Sequence, residues 1–183
     1  LRCHHPGARC FVLNSGDLSE DLEGIDVVQG DVDDGPVDVV VVGGAGLNFT
    51  HTQLNRAFRH LLDGAAFVAM HRNLYWRTAA GMELDTGAYV AALEESSGLT
   101  PVVLGKPSPE FFAACLAELG LAADRVAMVG DDVENDVVAA QRCGLRGVLV
   151  RTGKFRSEAL DRASATPEHV VDSFADVPSL LDG

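Results

Sequence analysis

No stretch of this 183-residue chain approaches the roughly 20 consecutive apolar residues a membrane helix needs. The best candidate, Val37 to Val42, is interrupted by Asp38 and stops at Gly43. A membrane partner is therefore not expected. Positive charge is scarce as well: 14 Lys and Arg stand against 27 Asp and Glu, a formal charge of −13. Such a chain is repelled by nucleic-acid backbones and anionic lipid surfaces, so nucleic acid is not expected as a partner either. Phosphate chemistry would need positive charge recruited locally, from a lysine, a helix N-terminus or a divalent cation. Cysteine occurs only as Cys3, Cys10, Cys115 and Cys143, without the paired spacing of a zinc site. Nothing downstream completes a ligand set for Cys3, His4, His5 and Cys10. Reduced thiols and the lack of a signal peptide predict a cytoplasmic protein. An initiating Met is missing too: the chain opens at Leu1 and runs almost at once into the strand-like Arg9 to Leu13, which predicts a fragment or a processed product.

What is present is an ordinary globular composition, 47% apolar and 22% charged, in which short apolar runs alternate with amphipathic stretches. That alternation predicts an α/β fold with a parallel sheet covered by helices. Strands are expected at Cys10 to Leu13, Ile25 to Val28, Val37 to Val42, Ala66 to Met70, Val102 to Leu104, Val126 to Val129, Gly147 to Val150 and His169 to Val171. The clearest helix runs from Thr50, a capping residue, to Asp63, with Leu54, Phe58, Leu61 and Leu62 at helical spacing. A second follows Ser108 as N-cap with Pro109 in its first turn and ends at Gly120. A third runs from about Glu134 to Cys143, and a weaker one from Gly87 to Ser97. The loop from Gly98 to Pro101 is the expected boundary between two domains, residues 1–100 and 101–183.

Two segments carry chemistry. In the first, an apolar strand from Val126 runs into Gly130 and then Asp131, Asp132 and Asp136. Carboxylates at the carboxyl end of a strand in an open α/β sheet face the ligand crevice. Hard oxygen donors there suit Mg²⁺, which is held by one or two carboxylates plus waters and a phosphate. In the second, a strand ends at Gly105 and Lys106 follows, with Pro107 beyond it. A fixed ammonium at that place can neutralise charge that develops on a transferring phosphoryl group. The glycine-rich Val42 to Phe49 turn lacks a third fingerprint glycine, since Phe49 holds that position, and is not expected to bind a dinucleotide.

Gly105-Lys106-Pro107, a helix, then Gly130-Asp131-Asp132 with Asp136, resembles motifs III and IV of haloacid dehalogenase-type phosphatases. The runs Gly105 to Phe112, Ala140 to Gly144 and Val150 to Phe155 are similar to the subfamily with a large α/β cap that includes the nitrophenyl phosphatases. The resemblance implies that residues 1–100 form the cap, incomplete at its start, and 101–183 the C-terminal part of the Rossmann-like hydrolase core. The Gly43 to Thr50 loop would be available to contact substrate from the cap. The implied activity is Mg²⁺-dependent hydrolysis of a small phosphorylated molecule or pyrophosphate. In it Lys106 would stabilise charge, Asp131 would bind Mg²⁺, and Asp136 with Asp132 would hold the ion's waters.

The family's nucleophile lies in an Asp-x-Asp-Gly pattern on the first core strand, and this chain has none in a suitable place. Gly30 to Gly35 does not substitute, because Val32 occupies the first aspartate position. The nucleophile is expected upstream of Leu1 and the chain by itself is expected to be inactive. The alternative is a noncatalytic relative that binds a metabolite or protein. Without the central strand, exposed apolar edges would favour poor stability or self-association, a homodimer being one form of it.

Overall fold

Val39-Val-Val-Val42 is buried along its whole length, which is how a strand covered on both faces of a parallel sheet reads. In the computed structural model, which describes residues 1, 4–28 and 35–180, this segment is strand β3 at the centre of a five-stranded sheet. Around it lie β1 (Arg9–Leu13), β2 (Asp26–Val27), β4 (Ala66–Ala69) and β7 (Val102–Val103), in the order β2-β1-β3-β4-β7, all parallel. Helix α1 (His51–Leu62) begins where the Thr50 hydroxyl accepts from the Gln53 amide at 3.2 Å. Helix α2 (Thr86–Ser97) begins where the Asp85 carboxylate accepts from the Thr86 amide, and ends at Gly98 in the left-handed conformation. Ala57 and Leu61 of α1 and Val90 and Leu93 of α2 pack on Phe11, Leu13, Val40 and Val42. Cys10, Val39, Val41 and Val68 form the core of the opposite face. Cys3 and residues 30–34 of the acidic Gly30 to Gly35 run lie outside the described residues.

Chain contacts divide the molecule into two compact units, Leu1–Leu74 with Leu84–Leu104, and Tyr75–Glu83 with Gly105–Gly183. The second holds a three-stranded parallel sheet in the order β10-β9-β8, formed by β8 (Ala127–Gly130), β9 (Arg146–Val150) and β10 (His169–Val171). Phe112 of α3 (Pro109–Leu119) packs on Ala139, Ala140 and Leu145. Val133, Val137, Val138 and Leu149 fill the other side. Ser108 stands at the N-cap of α3, yet its hydroxyl donates to the Glu110 carboxylate at 2.5 Å and makes no capping bond.

Two elements depart from the sequence expectation. The stretch expected as one α-helix opens as a π-helical turn, Val133–Val138, before becoming α4 (Ala139–Arg142). The Asp132 carbonyl accepts from both the Asp136 and Val137 amides, at 3.1 and 3.2 Å, and the second of these bonds widens the turn. Such turns recur at functional sites. A two-stranded ribbon, β5 (Tyr75–Thr78) and β6 (Gly81–Leu84), was not expected from the sequence. It is short and its burial does not alternate cleanly. Most of it, residues 75–83, groups with the second unit although it precedes the expected boundary by twenty residues or so.

Candidate active site

Strand β8 ends at Gly130, where a Cβ would run into the Asp136 carboxylate. That absence of a side chain lets Asp136, only 5% exposed, fold back from the π-turn against the backbone of the preceding loop. Its Oδ2 accepts from the Asp132 amide at 3.3 Å, and its Oδ1 lies 2.7 Å from Nζ of Lys106. The strand-end lysine and the third aspartate of the turn, 30 residues apart in sequence, thus form a direct ion pair.

Asp132 is engaged at both carboxylate oxygens. Its Oδ1 accepts from the Glu134 and Asn135 amides at 3.1 and 2.9 Å, capping the π-turn. Its Oδ2 accepts from Nδ2 of Asn135 at 2.8 Å and lies 2.8 Å from Nζ of Lys154. A carboxylate offers about four lone-pair directions, and here four donors are in place. Burial pushes the Asp132 carboxyl upward, but the Lys154 ammonium and the Asn135 donors outweigh it and hold the group below its ordinary value.

Asp131 Oδ2 accepts from the Lys154 backbone amide at 2.8 Å, and its Oδ1 has no hydrogen-bond donor among the described residues. The approach is close because residue 153 is glycine: a Cβ there would overlap Asp131 Oδ2, and φ is +61°. Lys154 therefore grips both neighbours, Asp131 through its main chain and Asp132 through its side chain. Together with Tyr75 and Phe155 these three residues line a small cavity. The chain contains only two lysines, Lys106 and Lys154, against twelve arginines, and both contact this turn.

Lys106, Asp131, Asp132 and Asp136 are marked by their places at strand ends, whereas Lys154 sits one strand and a loop further on, where local pattern carries no signal for it. The glycine-rich turn after β3 is braced from within its own unit: the Gly44 amide donates to Asn14 Oδ1 at 2.6 Å, and Asn48 bonds Ser15 and the Asn14 carbonyl. No helix among the described residues is long and apolar enough to cross a membrane.

The HAD-hydrolase-like family model matches residues 103–177, the segment that carries Lys106, Asp131, Asp132, Asp136, Gly153 and Lys154. Phospholysine phosphohistidine inorganic pyrophosphate phosphatase of Rattus norvegicus is 36% identical over 179 residues, covering 95% of this chain and 66% of that protein. Haloacid dehalogenase-like hydrolase domain-containing protein 2 of Bos taurus is 40% identical over 135 residues, 74% of this chain and 52% of the relative. The crystal structure of 4-nitrophenylphosphatase from Thermotoga maritima superposes with a TM-score of 0.81 at 28% identity, over 97% of this chain and 67% of that one. The chain belongs to the haloacid dehalogenase-like hydrolase family. This haloacid dehalogenase-like chain spans just under two thirds of the length of the rat relative. Its α/β architecture is the fold of the nitrophenyl phosphatase neighbours.

Proposed function

We propose that this chain supplies the cation- and phosphate-facing part of a Mg²⁺-dependent phosphatase acting on a small phosphorylated molecule or pyrophosphate. The observation that carries the reading is the direct Lys106–Asp136 pair, with Asp131, one residue past the end of β8, engaged by a single hydrogen-bond donor among the described residues. An ammonium and an undercommitted carboxylate at one strand end are the elements that a phosphate dianion and a hard cation require. The names of the rat and Thermotoga relatives, both phosphatases, support the same chemistry.

The donor set fits Mg²⁺. Among the described residues no group of three or more His, Cys, Asp or Glu side chains could cage an ion. Water and substrate would therefore have to complete the shell of an ion held by one or two carboxylates. Asp131 and Asp136 would hold the ion, which when bound supplies charge neutralisation at phosphate oxygens. Asp132, its oxygens already engaged, would serve the site by capping the π-turn and anchoring Lys154. Lys106 would fix the orientation of Asp136 and present positive charge to the phosphoryl group as its charge rises in the transition state. The attacking carboxylate would come from outside the 183 residues and form an aspartyl phosphate as the P–O bond to the alcohol, or to phosphate in pyrophosphate, breaks and that oxygen leaves protonated; water would then hydrolyse the aspartyl phosphate to free carboxylate and phosphate.

The test is hydrolysis of a generic aryl phosphate, with Mg²⁺ and with chelator, by the 183-residue chain and by a form extended upstream of Leu1. Mg²⁺-dependent turnover by the extended form alone is expected. Turnover by the shorter chain would refute the account of the nucleophile. An extended form inert toward a broad panel of phosphate esters and pyrophosphate would refute the phosphatase reading itself.

A further inference from the structure

The Gly153–Lys154 peptide is held at both of its polar ends. Its N–H donates to Asp131 Oδ2 at 2.8 Å, and its carbonyl accepts from Nε of Arg77 at 2.6 Å. Arg77 lies on β5, 76 residues earlier, in the part of the ribbon that packs within the same unit. A peptide group is a rigid plane, so its C=O and N–H can only turn together. Turning this plane changes ψ of Gly153 and φ of Lys154, and with no Cβ the glycine imposes little resistance on its side. The missing Cβ admits the Asp131 carboxylate, yet the same lack of a side chain would let the plane rotate and withdraw its N–H. Asp131 holds the N–H and Asp132 holds the Lys154 side chain, and Arg77 adds the contact on the carbonyl side. Donation into the carbonyl also polarises the plane and strengthens the N–H as a donor.

We propose that Arg77 is a positioning residue for the acidic turn: by clamping the Gly153 carbonyl it keeps the Lys154 amide on Asp131 Oδ2 and so holds the Asp131 carboxylate in one orientation. The inference rests on Asp131 being a cation ligand, and adds that a residue from the β5–β6 ribbon sets that ligand's orientation. Arg77 touches neither the cation nor the phosphate in this scheme. Its effect passes through one peptide plane. A guanidinium donates as a planar fork, whereas a lysine ammonium can still reach a single carbonyl, so Lys at 77 should substitute in part and a neutral aliphatic side chain should not.

The experiment measures Mn²⁺ binding, as free Mn²⁺ by electron paramagnetic resonance, on the protein as expressed from its own reading frame. The variants are Arg77→Ala, Arg77→Lys and Asp131→Asn, each checked for an unchanged circular dichroism spectrum. Outer contacts of metal ligands are typically worth 10- to 100-fold in affinity, and Arg77→Ala is expected to weaken Mn²⁺ binding by roughly tenfold. Arg77→Lys should recover part of that loss. Aryl phosphate turnover by Arg77→Ala should return toward the parental kcat at saturating Mg²⁺, which a general loosening of the fold would not allow. If Asp131→Asn weakens Mn²⁺ binding while Arg77→Ala does not, the positioning role is overturned and the metal assignment stands. If Asp131→Asn binds Mn²⁺ normally, the metal assignment falls and the positioning role with it.

Discussion

Replacing Gly153 by alanine tests whether the turn after β9 is shaped around Asp131. Two costs are expected, and a second glycine separates them. Gly120, the C-cap of α3, has φ +63° with nothing within 4 Å of an added Cβ, while Gly153 has φ +61° with the Asp131 carboxylate in the way. Both substitutions place an L-residue in the left-handed region, at about 1–2 kcal/mol each. Only Gly153→Ala must also push Asp131 off the Lys154 amide. A hydrogen bond to a charged acceptor is worth about 1.5–3 kcal/mol, so Gly153→Ala should be the more destabilising of the two by about that amount. Urea denaturation followed by circular dichroism gives the comparison. Mn²⁺ titration adds a second readout, with Gly120→Ala expected to match the parent and Gly153→Ala to bind more weakly. Equal stability loss in the two variants, together with equal Mn²⁺ affinity, would refute the claim that Gly153 exists to admit the Asp131 carboxylate.

Lys106→Met leaves Asp136, 5% exposed, without its ammonium. A loss of about 1.5–3 kcal/mol is expected in urea denaturation, with aryl phosphate kcat reduced by about 10²–10³ in the active form. Unchanged stability would show that the pair contributes nothing. Asp132 gives a pH signature. Because its carboxyl is held below the ordinary value of about 3.9, the stabilisation it contributes is complete above that pH and is lost as pH falls through the lower folded-state value. Lys154→Met removes a principal cause of the depression and leaves burial to raise the group, so the Asp132 carboxyl carbon should titrate at higher pH by NMR. The stability gap between parent and variant should be widest near neutrality, narrow as pH falls through the variant's raised value and close only below the parent's depressed one; a gap independent of pH would count against the pairing.

The parts of the site legible in the sequence are those that local pattern encodes. An apolar run ending in glycine and then acid places Asp131 at a strand end, and the same logic places Lys106 just past β7. Helix limits followed for the same reason: Thr50, Gly98 and Gly120 act within a turn of their own position. The π-turn was not legible, because it depends on one carbonyl, Asp132, accepting two amides, a choice between near-equal backbone registers. Nor was the exclusive engagement of Asp132, since three neighbouring carboxylates look alike until their donors are known.

Composition and periodicity by themselves determined the α/β class, the expectation that phosphate chemistry needs local positive charge, and the strand ends that carry Lys106 and the three aspartates. Tertiary structure alone decided the pairings: Lys106 with Asp136, Lys154 with Asp132, the Lys154 amide with Asp131, and Arg77 with the Gly153 carbonyl. The physical reason is range. Strand and helix preferences are set by neighbours within a few residues, whereas a hydrogen bond or ion pair needs two groups within about 3 Å, and only the packing of β8, β9 and the ribbon brings together residues separated by 22 to 76 positions.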